Sequence, residues 1–250
     1  MSNEKWHVTF TVLRQKTDQP AHFDAFPMEV DPDENVLDAI ERIWAFNDRS
    51  LTFRHACHHS TCGACGMRVN GVEKLTCITP ISQVTRDGGK VRIEPLRNFP
   101  ILSDLVVDMG GLYLRLDDAK FAQVAPLGDA CLPFEKKQQV RPDGNFERLV
   151  DCLECGMCIS ACPVALTTPE YLGPAVLAAA QQTFRQTNDP EMLSLADYQD
   201  GVWRCHSAYE CTAVCPSNVD PGWRIMDMRK IILHRQIQNI FSRSGSANEK

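Results

Sequence analysis

Eleven of the twelve cysteines in this chain fall into three groups: Cys57, Cys62, Cys65 and Cys77; Cys152, Cys155, Cys158 and Cys162; and Cys205, Cys211 and Cys215. Thiolates are soft ligands for iron and zinc. In a reducing cytoplasm such a set forms metal sites rather than disulfides, so the spacing carries the information. The first group reads C-x4-C-x2-C, with Cys77 following after eleven residues. That is the plant-type spacing for a [2Fe–2S] cluster. Gly63 and Gly66 give the loop freedom to bend while its N–H groups turn toward sulfur, and Ala64 keeps bulk away. Zinc is a rival, but zinc ribbons use paired C-x2-C knuckles, and only Cys62 and Cys65 have that spacing. A Rieske centre is a second rival. His59 has the right offset from Cys57, but Ile78, Thr79 and Pro80 follow Cys77 where a second histidine would be needed. His55, His58 and His59 are therefore read as loop-surface residues.

The second group with its proline, Cys152 to Pro163, spells C-x2-C-x2-C-x3-C-P. In two-cluster ferredoxins the fourth cysteine of this run ligates the other cluster. An internal repeat supplies the partner: a shift of 53 residues lays Cys152 on Cys205, Cys158 on Cys211, Cys162 on Cys215 and Pro163 on Pro216. A [4Fe–4S] centre on Cys152, Cys155, Cys158 and Cys215 follows. The third centre receives Cys162, Cys205 and Cys211. Its fourth position, matching Cys155, is Ala208. Three thiolates lacking a fourth suit [3Fe–4S]; the alternative is a [4Fe–4S] whose last iron binds water or another side chain. Cys131 stands alone between Ala130 and Leu132 and reads as a small buried apolar residue.

The elements that must position these loops divide in two. Trp6–Leu13 alternates apolar and polar residues as a strand does, and Pro27–Val30 reads as a second strand. Asp33–Phe46 has helical spacing, with Val36, Leu37, Ile40, Ile43 and Trp44 on one face and Asp31 or Asp33 as cap. After the cysteine loop, Met67–Val69, the Asn70-Gly71 hairpin signal and Val91–Ile93 complete a small sheet. This suits an N-terminal β-grasp ferredoxin domain over 1–100. Pro95, Pro100 and Gly110-Gly111 mark a linker, beyond which strand signals become rare. Helical patterns cover Glu170–Gln186 and Trp223–Gln238, the second with Ile225, Met228, Ile231 and Ile232 on its apolar side. An all-α, bacterial-ferredoxin-like domain over 101–240 is expected, so the fold class is α+β. A polar flexible tail is expected over 241–250.

A net charge of -6 disfavours nucleic acid. No apolar run reaches the length of a membrane span, and the start shows neither a secretory signal nor an Arg-rich transit peptide. No Gly-rich dinucleotide fingerprint stands in the chain: Gly63-Ala64-Cys65-Gly66 belongs to the cysteine loop. Bond-making chemistry is therefore expected on a partner. Arg224, Arg229, Lys230 and Arg235 read as a solvated helix face.

A plant-type [2Fe–2S] domain followed by C-x2-C-x2-C-x3-C-P and C-x5-C-x3-C-P resembles the iron–sulfur subunits of succinate dehydrogenases and fumarate reductases over nearly the whole chain. Trp203-Arg204-Cys205-His206-Ser207 is also similar to the family's segment beside its [3Fe–4S] cluster. The resemblance implies an FAD-bearing flavoprotein partner and a membrane-anchor partner with a quinone, often near haem b. It implies electron flow from FAD through [2Fe–2S], [4Fe–4S] and [3Fe–4S] to quinone. The chain would then lie at the cytoplasmic face of the membrane, held by the anchor. His206 and Pro163 match family positions near the quinone, although Pro163 equally serves as a turn after a ligand and His206 as a partner for nearby backbone. The family often has a tryptophan shortly after the Cys-Pro; here Val164, Ala165, Leu166 and Thr167 follow. A related dehydrogenase or fumarate reductase with another acceptor is the alternative, and a zinc-binding structural module is the reading from a different class.

Overall fold

The computed structural model describes residues 5–16, 19–120 and 152–245, with side chains to 240. Two compact units result: Met1–Gly111 with Leu153–Ala161 and Val214–Pro216, and Leu112–Cys152 with Cys162–Ala213 and Ser217–Lys250. This division departs from a cut near residue 100. Leu153–Ala161 packs with the first unit because Ser160 ties it there: its hydroxyl accepts from the Arg97 N–H at 2.8 Å and donates to Glu73 Oε1 at 2.7 Å.

The first unit is a five-stranded sheet ordered β2-β1-β5-β3-β4, with β1 Trp6–Arg14, β2 His22–Val30, β3 Gly66–Val69, β4 Val72–Leu75 and β5 Lys90–Glu94. Strands β1 and β5 run parallel and the other pairs antiparallel. Helix α1, Val36–Arg42, continues into a π turn over Ile43–Asn47 and covers one face. Val8, Phe10, Val12, Ile40, Ile43 and Ile93 lie in the shared core. Strand and helix periods thus deliver their apolar faces to one place, which is the β-grasp arrangement.

Several local expectations are corrected. Strand β2 begins at His22, five residues before Pro27. A proline would break a central ladder, but β2 is an edge strand, so its missing N–H can face outward. Asn35, not Asp31 or Asp33, caps α1, and its N–H donates to Asp38 Oδ2 at 3.1 Å. Asp31 instead closes the preceding turn, accepting from the Asp33 N–H. The π turn widens the helix, and Trp44 leaves the apolar face to lie 38% exposed beneath the Arg49 guanidinium. Two short strands, β6 Ile101–Ser103 and β7 Val106–Val107, follow the sheet where none were expected. Between them Asp104 is fully buried and accepts from the N–H groups of Gln15 and Thr52 and from Lys16 Nζ.

The second unit consists of helices and loops, with no strand among its described residues. It contains the end of α2 (Gly110–Asp118), α4 Pro163–Thr167, α5 Pro174–Thr187, α6 Pro190–Ala196, α7 Glu210–Ala213 and α8 Pro221–Gly245, while α3, Met157–Ala161, lies in the first unit. Helix α5 starts at Pro174 rather than Glu170, because the proline ring disfavours helix in the residue before it, and Gly173 takes φ +90. Buried Ala175–Ala180 let α8 approach closely. Asp227 of α8 clamps Arg185 of α5 (Nη2–Oδ1 2.6 Å) and accepts from Gln181 Nε2 at 2.6 Å. Arg224 is not solvated: it is 1% exposed and donates to Val219 O, Gln181 Oε1 and Gln182 Oε1. Helix α8 runs on to Gly245, so residues 241–245 are helix rather than tail. The rest of that tail and Cys131 lie outside the described residues. No described helix is long and apolar enough to cross a membrane.

Candidate cluster sites

The Cys57–Cys77 loop carries non-glycine residues in the left-handed region, His58 at φ 59 and Ser60 at φ 58. These reversals aim successive N–H groups inward. Thr61 and Cys62 each donate to Cys57 Sγ at 3.3 Å. Hydrogen bonds from the His59 and Cys62 backbone hold the Cys57 thiol down at about 6. Cys77 is buried, and burial pushes its thiol up to about 11, with Cys65 and Cys57 adding to the rise. Cys57 thus interacts with Cys62, and Cys77 with Cys65 and Cys57, with no disulfide among the described cysteines. The histidines turn elsewhere: His55 Nδ1 and His58 Nε2 lie 3.1 and 3.3 Å from Glu41 Oε1, lining an open cleft of about 620 Å³ with Trp44 and Phe53.

Glycine is required at one point of this cradle. Gly63 has φ +71, and a Cβ there would stand 2.7 Å from Cys155 Cβ. The first cysteine loop therefore touches the second group's loop at Leu153 and Cys155; Cys158 and Cys215 belong to the same unit, and Cys152 to the second. Only a residue without a side chain permits that approach.

Around the second and third groups the backbone repeats as the sequence does. Cys155 is flanked by left-handed Glu154 (φ 52) and Gly156 (φ 76). Ala208 is flanked by left-handed Ser207 (φ 57) and Tyr209 (φ 61). The 53-residue shift superposes these pairs, so the chain around Ala208 is bent like a ligand loop although its central residue has no donor. A tyrosine in this region is uncommon and strained. Tyr209 is held by packing, because a Cβ on Gly222 would come 2.6 Å from its ring.

Cys162, Cys205 and Cys211 meet in the second unit. Burial pushes the Cys211 thiol up to about 12, and the charges of Cys162 and Cys205 add to it. Cys162 is raised by burial despite N–H groups of Ala165 and Val164 aimed at it. Ser207 N–H lies 3.4 Å from Cys205 Sγ. Arg229 of α8, expected on a solvated face, is half-buried and donates from Nε to Val202 O at 2.8 Å and from Nη2 to Cys205 O. Sequence periodicity held no signal for this role, since a guanidinium capping loop carbonyls reads like any surface arginine. Pro163, at the first position of α4, and His206, two residues before Ala208, are both exposed.

The donor chemistry fits iron–sulfur clusters on two observations: N–H donors converge on cysteine sulfur, and the Tyr171 hydroxyl is buried among the third group's thiols with no hydrogen-bond partner. Comparisons with known proteins agree. Residues 9–113 match the 2Fe-2S iron-sulfur cluster binding domain family and residues 148–219 the 4Fe-4S dicluster domain family. The chain is 33% identical over 215 residues to a fumarate reductase iron-sulfur subunit of Mycobacterium tuberculosis, covering 85% of this chain and 86% of the relative. It is 31% identical to a mitochondrial succinate dehydrogenase [ubiquinone] iron-sulfur subunit of Oryza sativa, covering 90% and 82%. A chain of the Mycobacterium smegmatis Sdh1 complex in its apo form has the same fold, with TM-score 0.79 at 25% identity over 94% of this chain and 98% of that one. Sheet, helices, cysteine cradles and these likenesses converge: the chain belongs to the family of succinate dehydrogenase and fumarate reductase iron–sulfur subunits.

Proposed function

We propose that this chain carries electrons between the FAD of a flavoprotein subunit that interconverts succinate and fumarate and a quinone bound at a membrane-anchor subunit, with haem b there in some assemblies. In this reading Cys57, Cys62, Cys65 and Cys77 hold [2Fe–2S]; Cys152, Cys155, Cys158 and Cys215 hold [4Fe–4S]; Cys162, Cys205 and Cys211 hold [3Fe–4S]. When bound, the clusters accept and pass single electrons, dividing the two-electron step of the flavin. The chain's residues supply ligands, N–H donors and exclusion of water, which set each potential. Close packing at Gly63 keeps the first two sites near each other. Exposed Pro163 and His206 suit a quinone-facing edge, and the chain would sit at the cytoplasmic side of the membrane on its anchor.

The observation that carries the reading is the ligand-type loop around Ala208 with no ligand in it. Replacing Ala208 with cysteine offers the missing thiolate where the backbone already bends for one. Oxidised wild-type complex should give a [3Fe–4S] electron paramagnetic resonance signal, and Ala208→Cys should lose it with iron content rising by one per chain. A wild-type complex without that signal refutes the third assignment. Succinate-dependent quinone reduction by the purified complex tests the partners; a flavoprotein partner indifferent to succinate and fumarate refutes them. One feature favours a different acceptor as second reading: α4 after Pro163 presents Leu166, 59% exposed, where the family often has tryptophan.

A further inference from the structure

The Tyr171 side chain is 2% exposed, and its hydroxyl makes no hydrogen bond in the structure. Its backbone is firmly tied. The Tyr171 N–H donates to Thr168 O at 3.1 Å, its carbonyl accepts from Arg115 Nη1 at 3.0 Å, and the next N–H donates to Asp200 O at 3.1 Å. The backbone is thus fixed, and the packing around the ring shuts it away from water. A buried hydroxyl without a partner costs about 1–3 kcal/mol, and native interiors contain few. A phenylalanine would fit the same space without that cost, so the hydroxyl needs an acceptor absent from the bare chain.

The groups whose charges act on it are Cys205, Cys162 and Cys211, with Cys205 foremost. Protonated thiols are weak acceptors, whereas sulfur bound to iron carries the negative charge that makes a good one.

We propose that Tyr171 is a positioning and tuning residue for the third cluster, donating its O–H to cysteine-bound sulfur at Cys205 and raising the cluster's reduction potential. This rests on the assignment of Cys162, Cys205 and Cys211 to [3Fe–4S]. When bound, the cluster would take up one electron through the chain's own relay. The added charge resides partly on sulfur, so the O–H···S bond is stronger in the reduced form and favours it.

The test is a redox titration of the intact complex followed by the oxidised [3Fe–4S] signal, with Tyr171→Phe as the variant. The phenylalanine removes one oxygen and leaves the ring in place. The midpoint should move to lower potential, changing the oxidised-to-reduced ratio at a fixed potential several-fold, up to about tenfold, or 59 mV for a one-electron couple. Tyr198→Phe is the control: its hydroxyl already donates to Glu170 O at 3.1 Å, and its loss should leave the midpoint in place. The wild-type cluster should show a proton coupling that is lost in deuterated buffer and that Tyr171→Phe lacks in either solvent. An unchanged midpoint with the signal intact overturns the proposal. A Tyr171→Phe complex that fails to assemble the cluster also overturns it, in favour of a packing role. A wild-type complex without the [3Fe–4S] signal instead overturns the assignment beneath it.

Discussion

Replacing Gly63 with alanine separates two costs that are usually merged. Gly63 has φ +71 and Gly88 φ +72, so a side chain at either enters the left-handed region. That alone costs about 1–2 kcal/mol. Their surroundings differ. At Gly88 a Cβ meets nothing within 4 Å, whereas at Gly63 it stands 2.7 Å from Cys155 Cβ and 3.0 Å from Leu153 O. Neither neighbour is the free end of a flexible chain, so the second cysteine loop must shift. Overpacking of this kind adds about 1–3 kcal/mol. Gly88→Ala should therefore cost about 1–2 kcal/mol and Gly63→Ala about 2–5 kcal/mol. At about 2–4 °C per kcal/mol for a chain of this size, the variants should separate by several degrees in Tm. The assay is thermal and denaturant unfolding of cluster-loaded protein, read by circular dichroism and by loss of cluster absorbance. Gly63→Ala should also release its clusters at lower denaturant than Gly88→Ala. Equal costs for the two, within about 0.5 kcal/mol, would refute close contact between the two cysteine loops.

Three further outcomes are expected. Ser160→Ala removes a buried hydroxyl that accepts from the Arg97 N–H and donates to buried Glu73, and should cost about 1.5–3 kcal/mol in urea unfolding, as for hydrogen bonds to charge; a loss below about 0.5 kcal/mol would count against that tie. Arg229→Gln withdraws a charged donor from the Val202 and Cys205 carbonyls, and should loosen the third cluster, seen as lower [3Fe–4S] signal per chain with [2Fe–2S] retained; equal loss of both would point to general unfolding. Acid stability should follow the Arg14 network. A hydrogen bond from Arg14, with those of Ser50, holds Asp48 at about 2, and Asp104 is held below its ordinary value because Lys16, Thr52 and Arg14 together outweigh the burial that opposes its charge. Both folded values lie below the unfolded one near 4. Their stabilisation is thus complete above about pH 4 and lost as pH falls toward 2. Asp48→Asn should flatten that slope, and an unchanged acid midpoint would exclude the mechanism.

What the chain's order of residues determined by itself is what short-range geometry controls. C-x4-C-x2-C and C-x2-C-x2-C each wrap a few residues, so ligand type and cluster class follow from spacing without any knowledge of the fold. The 53-residue repeat is equally local, since each copy makes its own turn, and the left-handed pairs at 154/156 and 207/209 are its backbone expression. The alternation of β1 and the Asn70-Gly71 turn were legible for the same reason.

Tertiary structure decided whatever depends on residues distant in sequence. Pro27 could lie within a strand only because β2 became an edge. Arg224 and Arg229 look alike in sequence, but α5 buries the first and the Cys205 loop captures the second. Ser160 draws its segment to the first unit through Glu73, 87 residues away. Tyr171 offers no motif; its meaning lies in a hydroxyl enclosed where two separate stretches of chain bring three sulfurs together. Burial and long-range polar pairing are properties of the packed chain, and no spacing rule along one segment encodes which groups will be shut away from water.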